Sequence, residues 1–521
     1  MTEKQSIESD PAANKTQMDA NVAEDAEELE HLGIAPSEMK RSFNLWSLVF
    51  LSACSSVTWE AISSTIAQAL RSGGSSSLVW GYVASAAGAI LIVLCHAEYA
   101  SMIPTAGGQY HYASELSPPK IRRVYAWFAG WITMIGWILS CVAGIFAMAT
   151  QYQAWAILFA PGYVFERWHT TMITIGLTTF FSAVSLFEIK HLPKLMYIGF
   201  LTHVAGYLTT MIWLLVHVEE KNSAKIVFTD FNNQSGWESS GVSWSIGLLS
   251  SAIGFVNWDS SIHMAEEMKH VSRDLPRAIL ANVAVSGIMT FPWIISIAFC
   301  ITDISGVLSG PVGSMSPMSQ LFYNISGGNR AATIGLTCFL PIIGIVSAGP
   351  GMISATSRTV WAFSRDGGLP RMFSKVGNRT KVPTNAVILT WALICAVSLI
   401  NIGNTTALYG ISSGCTVALV ISYAFPLLMN VLYGFKYCEV PRGHGRFTLG
   451  RLHRPVAVAA LAWCIYIITF MCFPTYYPVQ VASMNWASAV VGGGMLIAVC
   501  LWFVYGRTGY VGAMRILESH H

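Results

Sequence analysis

An all-α membrane protein of twelve transmembrane helices is the fold that this sequence predicts, and three observations predict it. Hydrophobic residues make up 53% of the 521-residue chain, charged residues only 11%, and the mean hydropathy is +0.52, whereas a soluble domain carries about 25% charged residues. The apolar residues gather into twelve runs, each on the scale of the roughly 20 residues that a helix needs to cross a bilayer core. Lysine and arginine are sorted to alternate connections between those runs.

In chain order the runs lie near 43–70, 78–103, 124–150, 169–188, 194–218, 243–265, 278–302, 331–362, 383–402, 405–435, 455–474 and 484–505. Residues 1–40 precede them with ten acidic residues, three lysines and no apolar run, a composition that predicts a disordered acidic tail. The first run is long and begins after about 40 residues, so it reads as a retained span and not as a cleavable signal peptide. No charged residue occurs between Lys381 and Lys436, and the NIGNTT turn at 401–406 divides that stretch into two spans. Residues 506–521 form a second short tail.

With the N-terminus inside, the inner segments hold 25 of the 30 Lys and Arg residues, and the outer ones hold Arg71, Arg167, Lys221, Lys225 and Arg330. This predicts that both termini are cytoplasmic. Glycosylation sequons at Asn233, Asn324 and Asn404 fall in predicted outer connections, a weaker sign because Asn14 and Asn378 begin sequons on the inner side. Ten of the 11 cysteines lie in predicted spans and only Cys438 in a connection, so no disulfide framework, metal site or cofactor is expected. The net charge of +3 sits mainly on the inner connections and implies no nucleic-acid partner.

Three connections carry the strongest motifs. The second run is followed by PTAGGQYHY (Pro104–Tyr112), the sixth by AEEMKHVSRDLPRAI (Ala265–Ile279), and the eighth by SRDGGLP (Ser364–Pro370) with VPTNA from Val382. Their order and spacing resemble the inner loops of the amino acid–polyamine–organocation transporters over about 40–505. RSFNLWSL at Arg41–Leu48, Ser72-Gly73-Gly74 and FNNQSGW at Phe231–Trp237 resemble the fungal amino acid/choline branch, which includes choline and GABA permeases. The resemblance implies an inverted five-plus-five helix repeat, about 43–218 and 243–435, two extra helices at 455–505, and a first and sixth helix unwound at midplane. An irregular backbone is tolerated at that depth only where it lines a cavity, and there it offers free carbonyls and N–H groups to a polar solute.

The resemblance places the first break on Trp59-Glu60-Ala61, where this chain departs from the family's Gly-x-Gly, and the second on Gly254 to Asp259. Substrate is therefore expected at Ser56, Thr58, Trp59, Glu60, Ala61, Asn257, Trp258 and Asp259. A mid-membrane carboxylate costs about 2.5–3.5 kcal/mol on insertion scales and demands a partner; Glu60 is either a ligand and proton site or the partner of a hydroxyl or histidine on another helix. Asp259 either links substrate occupancy to gating or caps the half-helix at Ser260-Ser261. Trp59 and Trp258 offer indole faces to an ammonium group, or are two ordinary members of a set of 18 tryptophans.

Glu266 and Glu267 are expected to pair with Lys269, Arg273 or the basic residues of Arg365–Arg371, locking an inner gate. His96, Glu98 and His203 read as satisfied structural groups, with proton relay as the alternative. Ser354 and Ser357 lie where sodium-coupled relatives of this fold place a cation, but helical hydroxyls usually bond back to the preceding turn, so no sodium site is assigned. The function implied is secondary transport of a small amine, amino acid or choline-like substrate by alternating access, coupled to H+ through Glu60 or Asp259, in the plasma membrane or an internal membrane such as the vacuolar one. An exporter of an amine-like specialised metabolite and a non-transporting sensor on the same fold are the alternatives. No phosphate-binding loop, paired His/Cys motif or nucleophile elbow points to an ATPase or an enzyme.

Overall fold

The computed structural model describes residues 39–512, except Lys40, Pro161, 188–190, Lys269, Arg379, 404–406, 441–444 and 481–483. The acidic tail, Lys269 and Asn404 thus lie outside the described residues. Among the described residues eleven helices are long and apolar enough to cross a membrane.

The predicted run at 43–70 is two half-helices, α1 (Leu45–Ser56) and α2 (Thr58–Arg71). Asn44 starts α1 with a capping box, its side chain accepting from the Ser47 N–H at 2.9 Å while Ser47 Oγ accepts from the Asn44 N–H at 2.9 Å, which satisfies two otherwise orphaned donors. Helix α3 (Gly74–Met102) follows. The connection after it, read from sequence as an inner loop, instead folds inward as α4 (Gln109–Leu116), all of it buried. Gly108, at φ +55, turns the chain into it, and Tyr110 and Tyr112 pack at 0% exposure.

Helix α5 (Pro119–Phe159) overruns its predicted span at both ends: Pro119 is at a first-turn position where a missing N–H costs nothing, and Gln151 and Gln153 continue it as buried polar residues. Helices α6 (Arg167–Phe187) and α7 (Leu192–His217) come next. The predicted sixth span, 243–265, is not one helix. It consists of α8 (Ser240–Gly247), α9 (Leu249–Ala252), a 3-10 turn at Ile253–Phe255 and α10 (Ser260–His263), because its backbone unwinds where its hydropathy stays high.

The remaining long elements are α11 (Val271–Cys300), a rod at Arg330–Arg365 with a π-helical turn at Gly344–Ala348, a helix at Thr384–Ser398, α12 (Ala407–Tyr433), and helices at His453–Phe470 and Ala487–Leu501. Helix α12 packs along α5 and α11 along α3, with α1, α2 and the pieces of 240–263 held among them.

Two of the three motifs that carried the narrower resemblance touch each other. Ser72 and Gly73 form a short antiparallel ladder with Asn233 and Asn232, and a Cβ on Gly73 would lie 2.4 Å from the Phe231 ring; with φ at +157, only glycine fits there. The Asn233 sequon is turned inward by this ladder: its amide donates to the Trp237 carbonyl at 2.7 Å and accepts from Ser235 and Ser243. Asn324 is exposed and accepts from Gln320 at 2.7 Å.

Candidate functional site

The first interruption is at Val57, with φ 37 and ψ 52 in the left-handed region, and not on Trp59-Glu60-Ala61, which form the first turn of α2. A β-branched residue is an outlier there. In the second interruption Val256 is extended and Asn257 adopts φ 66, a conformation asparagine tolerates. Each break leaves carbonyls at the end of one half-helix and N–H groups at the start of the next without helical partners.

Cross-bonds tie the breaks together. Thr58 Oγ1 donates to the Gly254 carbonyl at 2.9 Å, Asn257 Nδ2 to the Ser55 carbonyl at 3.3 Å, and Ser140 Oγ of α5 to Asn257 Oδ1 at 2.8 Å. Ser260 reaches Ser52 at 3.1 Å.

Two adjoining cavities meet at Glu60, Ser64, Ala147 and Leu340. Among the described residues, Glu60 is the only charged side chain lining either of them. It is 2% exposed. Its Oε1 lies 2.7 Å from Nδ1 of His203 on α7, and its Oε2 has no partner among the described residues. The two readings of Glu60 thus divide between its two oxygens: one is held by a histidine of another helix, and the other is free at the junction of the cavities.

Trp59 lines the first cavity, and Ser56, Ala61 and Asn257 the second. A residue that sequence reasoning missed joins Trp59: Trp293 of α11 meets it edge to face, with centroids 5.2 Å apart at 68°, and its indole N–H donates to Ser63 at 2.9 Å. Nothing local in the sequence marks Trp293, because its partners lie some 230 residues away.

Trp258, Asp259 and Thr58 line neither cavity. Trp258 packs against His96 and Tyr423. Asp259 is at the N-cap position of α10 but makes no cap bond. Instead it accepts from Gln109 at 2.5 Å, Tyr423 at 2.9 Å and Trp137 at 3.2 Å, and lies 3.3 Å from His263. An Asp259→Asn substitution puts an amide where donors converge, and is expected to cost about 1–3 kcal/mol of stability. Thermal unfolding checks that cost; substrate competition profiles are expected to stay unchanged, since the residue borders no cavity.

At the end of the bundle carrying Phe43 and Met268, charged pairs close the structure. Arg358 Nε meets Glu267 at 2.7 Å with both side chains at most 3% exposed, and Arg365 meets Glu266 at 2.8 Å. Both arginines come from the 330–365 rod, while Arg273 pairs with its neighbour Asp274. Asp366 beside them takes His111 at 2.6 Å and Tyr110 at 2.9 Å from α4. Burial alone would raise the Asp366 carboxyl, but His111 first, then Arg365 and Tyr110, hold it below the usual carboxylate range. The backbone N–H groups of Ser42 and Phe43 donate to the Glu267 carbonyl at 2.9 and 3.0 Å, so the entering chain also docks on this lock.

The other candidate groups have partners outside the cavities. Glu98 accepts from Thr448 at 2.8 Å, His96 Nδ1 lies 2.9 Å from the Ile92 carbonyl, Ser357 bonds back to the Ser354 carbonyl at 2.9 Å, and Ser354 reaches Ser185 at 3.3 Å.

A family model described as amino acid permease matches residues 43–496. A choline transporter of Saccharomyces cerevisiae is 30% identical over 90% of this chain and 82% of its own length. Amino-acid permease 2 of Neurospora crassa is 29% identical over 99% of this chain and 94% of its own. Amino-acid permease BAT1 of Arabidopsis thaliana is 27% identical over 92% and 95% respectively.

Proposed function

Because this chain belongs to the amino acid permease family, a family of multi-pass transport proteins and not of enzymes, we propose that it carries a small ammonium-bearing substrate, an amino acid or choline-like amine, by alternating access. One observation carries this reading: a buried carboxylate, Glu60, with a bare oxygen at the junction of two cavities that no Lys or Arg among the described residues lines. In a low-dielectric setting such a group selects a positive charge. Two of the relatives it resembles are named for amino acids and one for choline, substrates that share an ammonium centre.

Coupling to H+ fits the same geometry. A substrate cation at Oε2 and a proton on the Glu60–His203 pair compete for one negative charge, so a filled and an empty site favour different protonation states. The Glu266–Arg365 and Glu267–Arg358 pairs act as the inner gate, which must part to release substrate. Uptake of a labelled amine and amino-acid panel into proteoliposomes, with and without an imposed pH gradient, tests the proposal: ammonium substrates are expected to accumulate faster with the gradient. Equal accumulation of every compound in protein-free vesicles and proteoliposomes would end it.

We also propose that both termini are cytoplasmic and 219–242 outside, on the 25 inner and 5 outer basic residues, in the plasma membrane. Tags at residue 2 and residue 235 in sealed cells are expected to be protected and exposed to protease respectively; an exposed N-terminal tag reverses the orientation.

A further inference from the structure

We infer that Trp293 sets the preference for N-methylated ammonium headgroups over primary ones, an inference that rests on the Glu60 site proposed above. The first cavity presents acceptors and ring faces, together with one indole N–H, that of Trp59, which has no partner among the described residues. Its hydroxyl protons are committed: Ser63 donates to the Trp59 carbonyl at 2.6 Å, Ser64 to Ala61 at 2.8 Å, Thr150 to Ala147 at 2.9 Å, Thr210 to Gly206 at 2.7 Å, Thr337 to Thr333 at 2.8 Å, and Ser316 to Gln151 Oε1 at 2.9 Å. These oxygens have only lone pairs left, which suits a cation and disfavours an anion.

What kind of cation follows from the rest of the wall. A primary ammonium gives up strong hydration and asks for three acceptors; here those are the one bare Glu60 oxygen and neutral hydroxyl oxygens. A methylated ammonium spreads its charge over C–H groups and asks for aromatic faces and apolar contact. Trp59 and Trp293 form a corner at 68°, held by the Trp293–Ser63 bond, and Phe322 and Met318 continue the lining. Of the corner's two indoles, Trp293 lies outside both broken helices, on α11.

The test is label-free binding of four amines to purified protein: 2-aminoethanol, its N-methyl and N,N-dimethyl derivatives, and choline. Affinity is expected to rise with each methyl, choline exceeding 2-aminoethanol by about tenfold. Trp293→Leu is expected to shrink that ratio to about threefold or less, and Trp293→Phe to preserve the order. A flat or reversed series in the unaltered protein overturns the inference, as does a Leu variant that keeps the ratio. If neither variant folds, the unaltered series decides. The site reading fails separately: Glu60→Gln leaving all four affinities unchanged refutes it, whereas a flat series that Glu60→Gln weakens throughout refutes only the role of Trp293.

Discussion

Glu60→Gln is expected to leave a folded, membrane-inserted protein whose uptake falls by about 100-fold, the scale set by removing one partner from a buried charge pair. The amide keeps the shape of the side chain and can still bond His203, which holds Oε1 at 2.7 Å. What is lost is the negative charge at Oε2, where a substrate ammonium would otherwise exchange water for a carboxylate. If the proposed proton coupling runs through this carboxylate, acceleration of uptake by an imposed pH gradient should be lost with it. Unchanged uptake would remove Glu60 from the mechanism, and a protein that fails to fold would instead assign Glu60 to holding α2 against α7.

The second large effect belongs to the inner lock. Arg358→Ala is expected to destabilise the protein by about 3–5 kcal/mol, because it leaves the Glu267 carboxylate buried and unpaired. Glu267→Ala strands Arg358 in the same way, at 1% exposure. Replacing both with methionine removes both charges from the interior, so the double variant is expected to regain most of the lost stability. Thermal unfolding of the three purified variants measures this. Transport by the double variant should remain impaired if the pair is the reversible closure proposed for the inner end. Single variants as stable as the unaltered protein would mean that the pair contributes no closure.

The bundle was legible from hydropathy because spans are long and their composition leaves little choice. Eleven of the twelve runs correspond to long apolar helices among the described residues; the run at 243–265 did not, since unwinding at Gly254–Asp259 depends on what the backbone contacts and not on its apolarity. Val57 illustrates the same limit. A valine at φ 37 carries no sequence signal for a helix break, so counting from Gly73-Gly74 placed the interruption two residues late. Glu60 stood out because an acid in an apolar run is conspicuous. Trp258 and Asp259, equally conspicuous, turned out to face α3, α4, α5 and α12 and not a cavity, for adjacency along a broken segment does not say which way each side chain points. His203 was flagged without its partner, and Trp293 was not flagged at all. Partners brought from distant helices are a property of packing, and packing is what a single sequence reveals least.

Competition on purified protein tests the central claim most directly, that a buried carboxylate beside two indoles forms a site for a positively charged head. With a bound radiolabelled amine as reporter, choline, GABA-like zwitterions and basic amines should displace it far more effectively than glutamate or succinate, whose second negative charge would be unpaired next to Glu60. A dicarboxylate that displaces the reporter as well as every amine tested would contradict the account and move the substrate site away from Glu60.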